Sequence, residues 1–240
     1  MQGLITLDFG NSHPHAGLFH KTQNTWQLIK VVPWKEINLY LDQLGMTPNN
    51  TSMVLCEVKA REEELLPLIH QGYLLTRVKD YWKGSRFAGM PVHYATSLGE
   101  DRLILAHYCY KKEKAPTLII DAGTYVTMDI VNEAGFQGGY ILPGPDAYKS
   151  SFQKGEQLKE VLLAPEFSEA IPKTTVEAMS WSYSAFLSFA REIISKYQIS
   201  KIILTGGKSS LWSSSLSVQE QPDLIHLALH HWMTTQIEPL

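Results

Sequence analysis

The stretch LITLDFGNSHPHAGLFH, Leu4 to His20, decides how the rest of the chain is read. Leu4, Ile5 and Leu7 form an apolar run that reads as a buried strand, and Asp8 falls at or just past its end. Gly10 and Asn11 tolerate backbone conformations that other residues avoid. Ser12 adds a hydroxyl, and Ala16, Gly17, Leu18 and Phe19 resume a strand. The pattern predicts a hairpin whose tip carries an acid, a hydroxyl and backbone N–H groups. Such a tip can cradle phosphate while its acid holds a metal ion or the waters around one. The same residues also suit an ordinary tight hairpin, with Asp and Asn serving turn chemistry alone.

The device returns in TLIIDAGTYVTMDIV, Thr117 to Val131. Leu118, Ile119 and Ile120 lead into Asp121, Ala122, Gly123 and Thr124. A second strand follows, with Val126, Met128 and Ile130 alternating against Thr127 and Asp129. Residues 8 and 121 lie 113 apart, close to half the chain. One Asp-x-Gly turn is weak; two, each closing an apolar strand and opening one half, predict a duplicated α/β domain with a cleft between halves. A third apolar strand, Ile202 to Leu204, ends in Thr205-Gly206-Gly207, which fits a tight turn or a close backbone approach to a ligand. In GGYILPG, Gly138 to Gly144, the glycines read as turn residues or as cleft-lining backbone. Helices are expected over Val58–Ile69, Leu103–Lys112 and Val176–Tyr197, the last entered through a Thr174-x-x-Glu177 capping box. The charged stretch Lys111 to Pro116 is the expected boundary, giving halves 1–114 and 115–240.

Composition narrows the function classes. The chain has 240 residues, 44% hydrophobic and 19% charged, enough for a sizeable core. A formal net charge of −3 and the lack of a basic tract argue against nucleic-acid or anionic-membrane partners. No apolar run reaches the ~20 residues of a membrane span. The first residues lack a signal-peptide layout. Cys56 and Cys109, without metal-ligand spacing, read as reduced thiols of a cytoplasmic protein.

Six motifs, in order along the chain, resemble those of the type III pantothenate kinase family of the acetate kinase, sugar kinase and actin superfamily. Asp8-Phe9-Gly10-Asn11-Ser12 is similar to the family's first phosphate motif, and Leu98-Gly99-Glu100-Asp101-Arg102 to its Gly-x-Asp-Arg. Asp121-Ala122-Gly123-Thr124 with Asp129 resembles the second phosphate motif, and Gly138 to Gly144 the Gly-Gly-x-Ile-x-Pro-Gly. Thr174 to Met179 and Thr205-Gly206-Gly207 resemble the family's helix start and its adenine-side turn. Three positions depart from the pattern. Ala95, Thr96 and Ser97 follow Tyr94 where the family has Asn-Pro, Glu100 replaces a small residue, and Tyr125 replaces another.

The resemblance implies a duplicated ribonuclease H-like (actin-like ATPase) α/β fold with a central cleft. It implies ATP-dependent phosphorylation of pantothenate, the first step toward coenzyme A, by a homodimer. Asp101 is then the proton acceptor; its own position also suits a helix-start acid favoured by the macrodipole. Arg102 would meet the pantothenate carboxylate, or pair with Asp101 or Glu100. Tyr94, Gly99, Glu100, Asp101, Arg102 and Thr175 form the implied substrate set, although a lone tyrosine also suits a core and Thr175 a plain first turn. Asp8, Phe9, Gly10, Asn11, Ser12, His13, Pro14 and His15, with Thr124, would wrap the ATP phosphates, Asp8 acting through Mg²⁺. Asp121 matches the site of K⁺ or ammonium. His13 and His15 are two ligands at most, too few for a transition-metal site. A catalytically silent ligand-binding or regulatory relative, and a kinase of another small alcohol, remain open alternatives at this stage.

Overall fold

The structure, a computed structural model, describes residues 2–10, 13–58, 62–153, 155, 158 and 164–236. The chain divides into two compact units, Met1–Lys111 with Asp223–Leu240, and Lys112–Pro222.

The first unit is built on strands β1 (Gln2–Phe9), β2 (His15–Thr22), β3 (Thr25–Pro33), β4 (Thr51–Glu57) and β5 (Leu74–Arg77), in the order β3-β2-β1-β4-β5. β1 and β2 form the expected antiparallel hairpin, with Asp8 opposite His15, while β4 lies parallel to β1 with Cys56 opposite Asp8. The connections carry α1 (Ile37–Gln43) and α2 (Glu62–His70). The helix expected from Val58 thus begins at Glu62; residues 59–61 lie outside the described residues. One face of the sheet buries Ile5, Leu7, Phe9, Leu18 and Leu55 against Leu65 and Leu68 of α2. Leu4 and Thr6, which point to the other face, are buried as well. A strand covered on both faces reads as a continuous apolar run, which is why the opening stretch does so. After a small sheet of β6 (Trp82–Lys83), β7 (Arg86–Phe87) and β8 (Met90–Pro91), α3 spans Glu100–Lys112. It opens before the expected Leu103, so Glu100, Asp101 and Arg102 form its first turn.

The second unit repeats this plan. β9 (Thr117–Ala122), β10 (Tyr125–Asn132), β11 (Gly135–Pro143), β12 (Lys201–Thr205) and β13 (Gln219–Glu220) are ordered β11-β10-β9-β12-β13. β9 pairs antiparallel with β10 and parallel with β12, as β1 does with β2 and β4. The duplication read from two Asp-x-Gly turns is therefore a duplication of whole sheets. Gly138 and Gly139 lie within β11 and not in a turn. Gly138 takes φ +108° beside a register shift between Ile130 and Val131, and a Cβ at Gly139 would collide with Asp129 Oδ1 and Met128 O.

The helices of this unit are α4 (Pro145–Phe152), α5 (Thr175–Trp181), α6 (Ser184–Lys196) and α7 (Ser210–Ser213). The single helix expected over Val176–Tyr197 is thus two. The chain breaks so that Tyr183 can turn inward. Its ring is fully buried against Tyr148 and Phe167, and its hydroxyl donates to Pro143 O at 3.2 Å. The capping box forms as expected: Glu177 N–H donates to Thr174 Oγ1 at 3.1 Å, and Thr174 N–H to Glu177 Oε2 at 3.0 Å. The last helix, α8 (Leu224–Gln236), belongs to the first unit, so the second unit ends at Pro222 and not at the chain end. Its apolar face decides this: Leu224, Ala228, Leu229 and Trp232 are buried, Trp232 stacking on Phe87 and His230 on Phe19.

Candidate active site

Two places in the first unit hold the residues singled out from the sequence. The first is the end of β1. Its acid, Asp8, meets His15 Nε2 at 3.3 Å across the hairpin. Asn11 and Ser12 lie outside the described residues. The Phe9 side chain is fully buried against Trp34, ring centroids 5.0 Å apart, so only its backbone can face a ligand. Among the described residues, a Cβ built at Gly10 would meet nothing nearer than the Asp8 carboxylate at 3.7 Å. The backbone there is open to approach. His13, Pro14 and His15 line a cavity of ≈760 Å³ whose other walls include Trp34, Lys35 and Glu64. Lys35 places a cation beside this loop, a residue nothing in the local sequence marks.

The second place is the first turn of α3. A Cβ at Gly99 would collide with Asp101 Oδ1, so the glycine makes room for the carboxylate that folds back over the helix start. That carboxylate accepts the Arg102 N–H at 2.8 Å. Burial pushes the Asp101 pKa up, opposed by the Arg102 N–H and guanidinium. The Arg102 guanidinium lies 5.2 Å from the centre of the Tyr94 ring, a cation–π spacing. Tyr94 is 38% exposed while Arg102 is buried. The structure thus brings Tyr94, Gly99, Asp101 and Arg102 together.

Glu100 points elsewhere. It is buried, and its Oε2 accepts the Glu57 N–H at 3.3 Å. Burial raises its pKa to about 7; the Glu57 N–H opposes the rise and the Glu57 charge adds to it. Glu57 itself is held by Arg77 Nη1 at 3.0 Å and by Lys79. Glu57, Arg77 and Lys79 escaped the sequence reading. The signal for Glu57 was present, because TSMVLCE is an apolar strand ending in an acid, as β1 is. The two places adjoin. Burial raises the Cys56 thiol pKa well above its usual value, and the charges of Asp8, Asp101, Glu100 and Glu57 add to that rise. The charges of both places therefore act on one buried thiol, Cys56, which lies opposite Asp8 on β4.

In the second unit, Asp121 closes β9 and Thr124 is exposed in the β9–β10 turn. That turn is held by Gly123 N–H on Tyr125 O at 2.9 Å and Gly144 N–H on Thr124 O at 3.2 Å. A Cβ at Gly144 would collide with Gly123 O and one at Gly206 with Asp121 Oδ1. Gly206 has φ +90°. Thr175, exposed, is the first residue of α5.

These donors can be tested against the groups the motifs imply. Asp8 offers a hard carboxylate oxygen beside open backbone, which suits Mg²⁺ held largely through water. Asp121 Oδ1 and Ala122 O converge on the space a Gly206 side chain would fill, an all-oxygen set that suits a hard cation. Among the described residues no three His, Cys, Asp or Glu side chains gather as a metal-binding group. No helix among them is long and apolar enough to cross a membrane.

Comparison with known proteins gives the family and the fold. The family model described as type III pantothenate kinase matches residues 4–196. A Citrifermentans bemidjiense protein named type III pantothenate kinase is 31% identical over 249 aligned positions, covering 93% of this chain and 95% of that protein. Among solved structures, a Campylobacter jejuni protein assigned to the Baf family of transcriptional activators superposes with TM-score 0.60 at 21% identity, covering 95% of this chain and 96% of that one. A Sinorhizobium meliloti protein described as a 2-dehydro-3-deoxygalactonokinase superposes with TM-score 0.59 at 11% identity, both chains covered in full. At such identities these structures speak to fold alone. That fold is the duplicated actin-like α/β class.

Proposed function

The chain belongs to the type III pantothenate kinase family, and we propose that it transfers the terminal phosphoryl group of ATP to the primary hydroxyl of pantothenate, giving 4'-phosphopantothenate. The observation that carries this reading is the first turn of α3, where Gly99 seats the Asp101 carboxylate beside the Arg102–Tyr94 stack. Phosphoryl transfer needs positioning and charge neutralisation more than covalent chemistry. Asp101 accepts the proton of the attacking hydroxyl, and a carboxylate whose pKa is raised by burial is a stronger base. Arg102, stiffened by the Tyr94 face, binds the pantothenate carboxylate through its fork of N–H donors, and Thr175 completes the substrate contacts.

In the first unit the backbone at Asp8 to Gly10 and at His13 to His15 takes ATP phosphate, and in the second unit the Thr124 hydroxyl is the corresponding phosphate donor. Asp8 would hold Mg²⁺ through its waters, and the ion supplies charge neutralisation on the phosphate oxygens. Asp121 and Ala122 O would hold K⁺ or ammonium. The working form is a homodimer, which sedimentation analysis will show as twice the chain mass.

The deciding experiment is a coupled assay of ATP-dependent pantothenate phosphorylation, run in K⁺ and in Na⁺, beside a panel of other small alcohols. Product from pantothenate, faster in K⁺, is the expected result. ATP bound without turnover of any alcohol would mean a silent relative. Turnover of another alcohol alone would move the substrate.

A further inference from the structure

His226 belongs to a helix more than two hundred residues from the phosphate loop in sequence, yet it is 1% exposed and lies against β1 and β2 of the first unit. Gly17 allows this. A Cβ there would come within 2.7 Å of the His226 ring and 2.6 Å of Thr6 Oγ1. With glycine in place, four side chains form one file. Thr6 Oγ1 is 2.8 Å from His226 Nδ1, His226 Nε2 is 2.8 Å from His15 Nδ1, and His15 Nε2 is 3.3 Å from Asp8 Oδ2.

The donors in this file have one consistent order for neutral rings. An ionised carboxylate only accepts, so His15 carries its hydrogen on Nε2. Its Nδ1 is then bare and needs a donor, which is His226 Nε2–H. His226 Nδ1 is in turn bare and takes the Thr6 hydroxyl hydrogen. The same hydroxyl is also placed to donate to Gly17 O at 3.2 Å; with one hydrogen to give, it gives it in this order to His226 Nδ1, the nearer acceptor at 2.8 Å. Burial keeps His226 neutral, its pKa pushed down to about 3 with His15 adding to the effect. Burial lowers His15 too, against the charge of Asp223 and together with that of His13.

We propose that His226 is a positioning residue of the phosphate loop: from α8 it fixes His15 in the Nε2–H tautomer and thereby holds the Asp8 carboxylate in place for Mg-ATP. The proposal rests on Asp8 being the acid of that loop, and it adds a part of the chain that none of the motifs contains. It is the arrangement by which a partner behind a ligand sets the ligand's orientation, where losing the partner typically costs ~10–100-fold in affinity or activity.

The test uses the full chain with ¹⁵N-labelled histidine, read without nucleotide, and four variants. In the unaltered protein, imidazole ¹⁵N shifts should show His15 with a protonated Nε2 and a bare Nδ1. His226→Phe keeps a ring but removes both nitrogens. It should mix the His15 tautomers and weaken Mg-ATP binding ~10-fold or more by calorimetry, with pantothenate affinity unchanged. His226→Gln, whose amide can donate to His15 Nδ1, should restore most of both. Thr6→Val should mix the tautomers without touching either histidine, and it serves if His226→Phe does not fold. An unchanged His15 tautomer, or Mg-ATP affinity within twofold of the unaltered protein, in His226→Phe or, if that does not fold, in Thr6→Val, overturns the proposal. Asp8→Asn separates this from the reading beneath it. If Asp8→Asn leaves Mg-ATP binding intact, the phosphate-loop assignment fails. If it abolishes binding while His226→Phe does not, only the positioning role fails.

Discussion

At the scale of single residues, Asp101 and Glu100 are neighbours with opposite environments. Asp101 folds back over Gly99 beside a guanidinium, whereas Glu100 is turned toward the Glu57 backbone. Asp101→Asn should lower kcat ~10²–10⁴-fold, the usual cost of losing a general base, with ATP affinity retained; steady-state kinetics beside calorimetry checks both. Glu100 should act on stability. Its folded pKa of about 7 lies above its ordinary value of 4.5. Folding therefore favours the protonated carboxyl: the benefit is whole below about pH 4.5 and is lost as pH rises through about 7. Glu100→Gln, permanently neutral, should be more stable than the unaltered protein at pH 8 by up to ~3 kcal/mol, and nearly equal to it at pH 5. Denaturant melts at the two pH values measure the difference, and an equal gap at both would reject the assignment.

Among the elements, glycine has opposite uses in the two turns. Gly10 sits in open surroundings and Gly206 in closed ones. Gly10→Val should leave the melting temperature nearly unchanged, because the nearest obstacle among the described residues is the Asp8 carboxylate at 3.7 Å. It should still weaken Mg-ATP binding, since a branched side chain then stands where phosphate approaches the backbone. Gly206→Ala meets φ +90° together with Asp121 Oδ1 and the Ala122 backbone. It should cost a few kcal/mol, in the ~1–3 range of a strained non-glycine residue or above it, and should remove any K⁺ response along with the stability. Thermal melts with ATP titration separate the two behaviours; similar loss of stability in both would show that the turns are not used differently. The capping box is a simpler case: Thr174→Ala removes the acceptor of Glu177 N–H and should cost ~1 kcal/mol.

For the whole molecule, the distribution of buried histidines makes the first unit the acid-sensitive one. Burial pushes His107 and His230 down to about 4 and His226 to about 3. All three belong to residues 1–111 and 223–240. Their folded values lie below the ordinary 6.5, so the stability they confer is whole above about pH 6.5 and is lost as pH falls toward 4. His107 and His230 each contribute on the order of 3 kcal/mol at most and His226 about 5 kcal/mol at most. Lowering pH from 7 to 5 should reduce amide protection factors, taken against the slower intrinsic exchange at pH 5, in β1, β2 and α8 well before it does in β9 and β10. Mass-resolved exchange at the two pH values checks this, and equal loss of protection in both units would contradict it.

What the sequence determined by itself is what short-range physics governs. Periodicity marks β1 and β9, the Asp-x-Gly turns close them, and the spacing of Thr174 and Glu177 sets a helix start. Each of these depends on residues a few positions apart, so the duplicated fold and most of the candidate residues were legible. The break at Ser182–Tyr183 was not, because it answers to Tyr148, Phe167 and Pro143, which lie outside the helix. Glu100, a member of the implied substrate set, is turned by packing toward the Glu57 backbone. The placement of α8 was least legible of all. Its apolar face could have covered either sheet, and the choice was made by contacts such as Thr6 with His226, 220 residues apart. Only tertiary structure decides such a pairing, because the free energy that selects it comes from burying two distant surfaces against each other, and neither surface carries a local mark of its partner.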